Sequence, residues 1–224
     1  MTSPLLGEFL GTMVLILLGN GVVAGVLLKG TKAEGSGWIV ITAGWAFAVM
    51  AGVFTAIACG SSDAHLNPAV SLVAAARREL SWPDAAAYIL VQLAFGIIGA
   101  WAAHLMFDLP TLQLSVKARN GLGQWTGEAI ATFGLILTIL GTVRHRPAAV
   151  PASVALYIVA AYWFTSSTSF ANPAITIARS LSDTFAGIAP HDVPSFIVAQ
   201  LAGAALGAVV ATFLFARAPL RTPG

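Results

Sequence analysis

Long apolar stretches separated by short polar or Gly- and Pro-containing segments dominate the chain. Six of these stretches can each cover the roughly 20 residues that a bilayer core requires. The six predicted spans are Pro4–Leu28, Trp38–Ala58, Pro83–Phe107, Gln124–Val143, Pro151–Thr165 and Pro194–Phe215. Two further apolar stretches, Asn67–Ala76 and Asn172–Leu181, have about half that length, which is typical of re-entrant segments. The pattern therefore predicts an all-α membrane protein with six transmembrane helices and two half-helices.

Composition supports this prediction. The chain has 224 residues, of which 58% are hydrophobic and only 9% are charged, whereas about a quarter of the residues of a soluble domain are charged. The net charge of +2 is too small and too scattered to indicate a nucleic-acid partner. Cys59 is the lone cysteine, so it forms no intrachain disulfide and leaves the redox compartment open. Met1–Leu28 lacks a basic start and is long enough to span, which favours a retained first helix over a signal peptide.

An internal repeat divides the chain into halves of about 1–107 and 124–217, within one transmembrane domain of 1–224. Three landmarks of the first half recur in the same order in the second half. They are Gly7-Glu8-Phe9-Leu10-Gly11-Thr12 with Gly127-Glu128-Ala129-Ile130-Ala131-Thr132, Asn67-Pro68-Ala69 with Asn172-Pro173-Ala174, and Gln92-Leu93-Ala94 with Gln200-Leu201-Ala202. Because each half has an odd number of spans, the halves must have opposite topology. The functional site of such an inverted repeat lies near the midplane, where the repeats meet.

The two Asn-Pro-Ala tripeptides have the composition of helix starts. Asn is a strong N-cap, and Pro is favoured at the first helical position. Two starts that face each other bring two positive dipole ends to the bilayer centre, which opposes cations and hopping protons but not neutral hydroxyl compounds. Non-helical backbone at this depth persists only where it lines a cavity or is buried in protein. The sequence thus predicts a passive channel for water and small uncharged solutes, with no enzymatic activity.

Few other polar residues lie in the apolar stretches. Glu8 and Glu128 occupy matching positions in the repeat, where a buried carboxylate needs a partner. Scaffolding fits this duplication better than a proton relay, which is the functional alternative. His65 lies beside the first tripeptide, where it lines the inner vestibule or braces the loop. One His does not make a metal site, and the sequence predicts no metal and no cofactor.

The chain resembles the aquaporin and glycerol-facilitator (major intrinsic protein) family over essentially its whole length. Ala64-His65-Leu66-Asn67-Pro68-Ala69-Val70 and Phe170-Ala171-Asn172-Pro173-Ala174 carry the resemblance. The first half is similar to bacterial glycerol facilitators. Tyr162-Trp163-Phe164 and Thr184-Phe185-Ala186-Gly187 resemble the bacterial branch often associated with arsenic-resistance operons. The resemblance implies a homotetramer with one pore per subunit and a narrow aromatic/arginine filter on the outer side. It also implies that Glu8 and Glu128 anchor the half-helix loops.

The resemblance further implies four filter positions: Trp45, Ala160, Ser169 and Ile175. Trp45 matches an aromatic that supports the carbon face of a polyol, although a packing or lipid-facing Trp is the alternative. Ala160 is small and suggests a wide opening. Ser169 offers a hydroxyl, or else satisfies the loop backbone.

Ile175 is the main departure from the family pattern, which has Arg directly after the second Asn-Pro-Ala. Ile neither donates hydrogen bonds nor repels cations, so we expect a wider, more apolar filter. Arg179 follows four residues later and projects from the same helix face, one turn farther out. It either restores positive potential in the outer vestibule or, as we favour from sequence, extends to the interface or binds carbonyls at the half-helix C-terminus.

Water, glycerol and neutral arsenous acid are the expected permeants, and the apolar filter tilts the expectation toward metalloids or organoarsenicals. A secondary transporter and a weakly selective ion-conducting pore remain as alternatives, since inverted repeats also occur in transporters and the filter Arg is missing. An intramembrane enzyme has no motif in its favour. Arginines are concentrated on one predicted side, which the positive-inside rule makes cytoplasmic, with both termini inside and the chain in a bacterial inner membrane. These arginines are Arg77, Arg78, Arg144, Arg146, Arg217 and Arg221.

Overall fold

The computed structural model describes residues 3–215, and within that range every regular element is helical. Six long helices and two half-helices follow one another along the chain. They are α1 (Pro4–Leu27), α2 (Trp38–Ala58), α3 (Pro68–Ala76), α4 (Trp82–Met106), α5 (Leu122–His145), α6 (Val150–Phe164), α7 (Pro173–Ser180) and α8 (Val193–Leu214). Short 3-10 turns at Pro147–Ala149 and Pro190–Asp192 precede α6 and α8. The predicted fold class is confirmed, and six helices within the described residues are long and apolar enough to cross a membrane.

The ends of the helices follow from local chemistry, and the predicted boundaries differ from them by at most a few residues. The side chain of Ser3 caps α1 by accepting from the Leu6 N–H at 3.1 Å. Ser81 caps α4 in the same way, accepting from the Asp84 N–H at 3.2 Å. Each half-helix begins at a Pro that directly follows a capping Asn. These caps satisfy N–H groups that a helix start leaves without partners.

Within each half, the first helix packs closely against its neighbours. In the first half α1 lies against α2 and α4, and in the second half α5 lies against α8 and α6. The approach of the first loop to α1 requires Gly7, because a Cβ there would lie 2.6 Å from the backbone N of Ser61. The halves join where α2 meets α6, α4 meets α7 and α3 meets α8. Each half-helix therefore packs against helices of both halves.

The outward faces of the long helices remain apolar and exposed. Phe47 on α2, Leu90 on α4 and Phe213 on α8 are large side chains of this kind. Lipid solvates such faces, since a bilayer interior is as apolar as they are. Arg217 and Arg221, which belong to the predicted cytoplasmic side, lie outside the described residues.

Candidate permeation pathway

The two Asn-Pro-Ala segments meet tip to tip in the middle of the molecule. The side-chain oxygen of Asn67 accepts from the Ala69 N–H at 2.9 Å, and that of Asn172 accepts from the Ala174 N–H at 2.9 Å. Each Asn also donates across the junction: Asn67 Nδ2 to the Ala171 carbonyl and Asn172 Nδ2 to the Leu66 carbonyl, both at 2.8 Å. An amide NH₂ group carries two N–H donors, so each Asn retains one after this exchange.

The loops that lead into the tripeptides adopt strained backbone conformations at matching positions. Ala64 and Leu66 have φ of 42° and 50°, and their counterparts Ser169 and Ala171 have φ of 47° and 48°. L-residues rarely adopt positive φ, and strain of this kind is found where surrounding contacts hold it and function uses it. The surrounding contacts here come from two buried carboxylates.

Glu8 of α1 holds the first loop. Its carboxylate accepts from the backbone N–H groups of His65 and Leu66, both at 2.8 Å, and from Ser61 Oγ at 2.7 Å. Gln92 of α4 donates to the same carboxylate at 2.7 Å. A fully buried carboxylate is retained only when its lone pairs are occupied in this way.

Glu128 of α5 repeats this arrangement in the second loop. It accepts from the N–H groups of Phe170 and Ala171, both at 2.8 Å, and from Gln200 of α8 at 2.6 Å. These are the anchoring contacts that the family resemblance implies. Because all their acceptor oxygens face protein donors, neither Glu presents a free carboxylate for relaying protons.

A cavity of about 940 Å³ extends from this junction to one end of the molecule. Arg77 and Arg144 line it at that end, which we call the inner end, and Asn67, Asn172 and Ile175 line it at the other. Its walls between these ends are mostly aliphatic. The aliphatic wall includes Leu15, Val49, Val53, Val70, Leu135, Ile136, Val154 and Ile158. The arrangement places a few amide donors in an otherwise apolar passage, as is typical of sites that bind small neutral molecules.

The helix faces that line the cavity continue beyond it toward the opposite, outer end. On α2, Trp45 lies one turn beyond Val49, and on α6, Tyr162 lies one turn beyond Ile158. On α7, Arg179 lies one turn beyond Ile175. Residues four apart share a helix face, so all three side chains project over the outer end of the cavity. Trp45, Tyr162 and Arg179 are all buried.

The position of Arg179 corrects the interpretation that we favoured from sequence. The side chain is only 2% exposed, so it does not extend to the interface. It turns inward and its Nη2 donates to Tyr162 Oη rather than to helix carbonyls. The Cζ atom lies 4.2 Å from the Trp45 ring centroid and 4.3 Å from that of Phe170. Sequence spacing gave the direction of Arg179, but not the aromatic rings of other elements that receive it.

The implied filter position of Ala160 is also wrong. Ala160 is exposed, whereas Ile158 and Tyr162 on the same helix are buried. Successive helical residues are separated by about 100°, so a residue two positions from Ile158 points away from the passage. Tyr162, one turn beyond Ile158, is buried on that face instead, and its hydroxyl accepts a hydrogen bond from Arg179.

Of the other three filter positions, Ile175 lines the cavity, whereas Trp45 and Ser169 are buried outside its lining. Trp45 is 1% exposed and therefore does not face lipid. Its ring packs on Gly19, where a Cβ would lie 2.6 Å from three ring carbons. Ser169 is buried and its hydroxyl has no hydrogen-bond partner in the described part of the protein. Ile175 lines the outer end of the cavity with an apolar surface.

Arg119, to which sequence analysis assigned no role, holds the outer loops together. It lies between α4 and α5, is buried, and donates from its guanidinium to three carbonyls: those of Gly187, Ser167 and Phe185, at 2.6–2.9 Å. Burial and the nearby charge of Arg179 lower the pKa of Arg119 to about 10, so it remains charged at neutral pH. No local motif marks such a residue, because its partners come from two distant loops.

His65 lines the cavity at the first loop, and its ring nitrogen Nδ1 lies 3.1 Å from Ser71 Oγ. It therefore combines the two positions that the sequence left open, facing the vestibule and bracing the loop. Among residues 3–215, no group of three His, Cys, Asp or Glu side chains could hold a metal ion.

Comparisons with known proteins agree with this geometry. The family model described as "Major intrinsic protein" matches residues 2–166. The chain is 46% identical to the aquaglyceroporin AqpS of Rhizobium meliloti, over 91% of this chain and 86% of the relative. It is 36% identical to glycerol uptake facilitator protein 3 of Lactiplantibacillus plantarum, over 92% and 94% of the two chains. A glycerol uptake facilitator of Streptococcus pneumoniae is 48% identical, over 63% of this chain and 61% of its own.

A solved structure supports the fold independently of close sequence similarity. The aquaglyceroporin of Plasmodium falciparum superimposes with a TM-score of 0.71 at 22% identity, covering 95% of this chain and 94% of that one. The matched family model covers well over half of the chain, and the first of these relatives is aligned along most of its length. The chain therefore belongs to the major intrinsic protein family.

Proposed function

We propose that this protein is a passive channel that conducts water and small uncharged solutes past the two Asn-Pro-Ala motifs. The reciprocal Asn67–Asn172 junction at the edge of a large cavity carries the proposal. The one N–H that each Asn retains can donate to a passing oxygen in place of water. A solute that exchanges its bound water for these donors can cross passively, without coupling to another energy source.

The junction also opposes ions. The N-termini of α3 and α7 face each other there, and each carries about half a positive elementary charge. The aliphatic walls offer a cation no ligands to replace its hydration shell. A coupled transporter would need ion ligands at the midplane, and both midplane carboxylates are occupied by loop and Gln donors. We propose no enzymatic activity and no coupling ion for the chain.

Water and glycerol are the permeants that the names of the relatives favour, since these proteins are called aquaglyceroporins and glycerol uptake facilitators. The likeness of the second half to arsenic-operon channels adds neutral arsenous acid and organoarsenicals. All of these are compact molecules with oxygen acceptors and no net charge. The apolar side chain of Ile175 beside donors from Asn67 and Asn172 suits such amphipathic solutes.

The protein is a multi-pass protein of the inner membrane, and we propose that it assembles as a homotetramer with one passage per subunit. The exposed apolar faces of the long helices leave area for both lipid and neighbouring subunits. By the positive-inside rule, Arg77 and Arg144 at the inner end of the cavity support a cytoplasmic position for that end. In that orientation both termini are cytoplasmic.

Swelling of reconstituted vesicles tests the proposal. Vesicles that contain the protein should equilibrate glycerol and arsenous acid gradients faster than protein-free vesicles, without saturation and without a change in membrane potential. The rates should not depend on a proton or sodium gradient. Saturable, gradient-dependent uptake would instead identify a transporter, and a steady current would identify an ion pore.

A further inference from the structure

Unpartnered polar atoms are concentrated in one part of the molecule. Among residues 3–215, nine buried side-chain nitrogen and oxygen atoms have no hydrogen-bond partner. Four of the nine belong to three residues at the outer end of the passage: Trp45 Nε1, Ser169 Oγ, and Nε and Nη1 of Arg179. Buried polar atoms in folded proteins are nearly always satisfied, so such a concentration calls for a ligand or water.

Arg179 is held in a fixed position, yet its donors are left free. Its Nη2 donates to Tyr162 Oη, and its guanidinium lies against the rings of Trp45 and Phe170. A guanidinium has five N–H donors in a rigid plane. Three of them, one on Nε and two on Nη1, have no protein acceptor in the described chain. Contacts of this kind orient a binding group without occupying it.

The charge of Arg179 is also uncompensated. The ion pairs found among residues 3–215 are Arg77–Glu79 and His191–Asp192, and neither includes Arg179. Glu128 lies on the same side of the junction, but loop N–H groups and Gln200 occupy its oxygens. Arg119, on the other hand, adds a second buried positive charge, 4.7 Å from the Phe170 ring that Arg179 also contacts. The outer end therefore holds two buried guanidinium groups, neither of which has a direct ion-pair partner among residues 3–215.

We propose that Arg179 performs, from one helical turn farther out, the work of the arginine that this chain lacks at Ile175. Its free N–H groups, together with Ser169 Oγ and Trp45 Nε1, bind oxygen atoms of the permeating solute. Its charge excludes cations. This inference rests on the proposed channel function and specifies its solute class as small neutral molecules with adjacent oxygen acceptors, such as polyols.

An arginine one turn farther out changes the order of polar and apolar surfaces that the solute meets. Ile175 now lies between the Asn junction and the Arg179 donors, so the solute meets an apolar side chain between two polar sites. A molecule with oxygens on one face and carbon on the other can use all three surfaces in turn. A cation gains nothing from Ile175 and is repelled at Arg179.

Three variants in reconstituted vesicles test the proposal. Arg179→Met removes both charge and donors: methylammonium permeability should rise about tenfold above the wild type, and the glycerol-to-water permeability ratio should fall by a similar factor, as expected for losing hydrogen bonds to a charged group. Arg179→Lys keeps a point charge without the planar donors, so it should still exclude methylammonium but lose the preference for glycerol. The double variant Ile175→Arg with Arg179→Ile should restore both properties.

The double variant separates filtering from bracing. If Arg179 only supports Tyr162 and Trp45, an arginine at position 175 cannot replace it, and failure to restore cation exclusion would overturn the inference. Unchanged ratios in Arg179→Met would overturn it as well. If Arg179→Met cannot be reconstituted, an unchanged glycerol-to-water permeability ratio in Arg179→Lys would overturn the inference instead.

Arg78→Met is the matched control, because Arg78 is an exposed arginine at the end of the other half-helix. It should leave methylammonium exclusion and the glycerol-to-water ratio as in the wild type. A wild-type protein that moves no solute faster than protein-free vesicles would refute the channel function itself. A conducting wild type whose selectivity is indifferent to position 179 would refute only this inference.

Discussion

At the starts of α3 and α7 the same contacts occur twice. In each loop a buried Glu accepts from two successive backbone N–H groups and from a Gln on the last helix of its own half. Each Gln also reaches a hydroxyl on its half-helix: Gln92 donates to Ser71 Oγ at 3.1 Å, and Gln200 donates to Thr176 Oγ1 at 2.8 Å. The contacts that hold the two loops are thus almost interchangeable.

Apart from the two Asn-Pro-Ala tripeptides and the aliphatic pair Val70 and Ile175, the side chains at corresponding positions of these loops and half-helices differ. Positions that correspond in the repeat, each pair 105 residues apart in the sequence, are His65 and Phe170, Val70 and Ile175, and Ala74 and Arg179. Ala74 lines the wide inner cavity, whereas Arg179 fills the outer end against aromatic rings. The hydrogen bonds that hold the loops are the same in both halves, whereas the side chains at the two ends of the passage differ. Selection among solutes should therefore depend on the outer half, and stability on both halves.

The largest effects are expected from the duplicated carboxylates. Glu8→Ala and Glu128→Ala each leave at least three buried donors without an acceptor, at a cost of roughly 3–5 kcal/mol in the free energy of unfolding. Thermal unfolding in detergent should show a large drop in melting temperature for both. Glu79→Ala is the control, since Glu79 forms an exposed pair with Arg77 that contributes at most about 1 kcal/mol. A normal melting temperature for either buried-Glu variant would mean that its loop is held by other contacts.

The next effect concerns the two faces of α6. Ile158→Trp places a large ring in the wall of the cavity, close to the Asn junction, and should reduce water permeability about tenfold because the ring obstructs the path of the solute. Ala160→Trp adds the same ring to the exposed face and should leave water permeability unchanged. Stopped-flow light scattering of vesicles measures both. The reverse result would restore Ala160 to the filter and remove Ile158 from it.

A smaller effect is expected at the outer loops. Arg119→Lys retains a charge but cannot donate to three carbonyls at once, so the free energy of unfolding should fall by about 1–3 kcal/mol. Hydrogen exchange should increase at amides of the segments that Arg119 connects, around Ser167 and Gly187. Lys117→Arg is the control, because it also exchanges one basic residue for another in the same loop. Unchanged exchange around Ser167 and Gly187 would show that Arg119 is not what joins these segments.

Sequence reasoning succeeded where a local pattern determines the structure. Each of the eight helices is marked by a run of apolar residues, and each half-helix also begins with its own Asn-Pro cap. Glu8 and Glu128 stood out because a carboxylate in an apolar helix needs a partner wherever the helix is placed. Their repetition at matching positions indicated that the partner is part of the scaffold.

The failures at Ala160 and Arg179 have a common cause. The register of α6 relative to the passage depends on how that helix packs against α2 and α5, which its own pattern does not specify. Likewise, the position of the Arg179 side chain depends on Trp45, Tyr162 and Phe170, which come from three other segments of the chain. A family alignment transfers positions by sequence, and a shift of two residues along a helix reverses the face.

The smallest predicted effect tests whether the Trp45 ring, at the outer end of the passage, contacts the carbon face of glycerol. Trp45→Ala removes the ring that lies against Arg179 and opens space beside Gly19. Water should then pass at least as fast as in the wild type, whereas glycerol loses the flat apolar surface that supports its carbon face, so the glycerol-to-water ratio should fall about two- to fivefold. Trp45→Phe keeps an aromatic face and should retain most of the ratio. Equal changes in both permeabilities would make Trp45 a packing residue, and selectivity at the outer end would then depend on the polar donors alone.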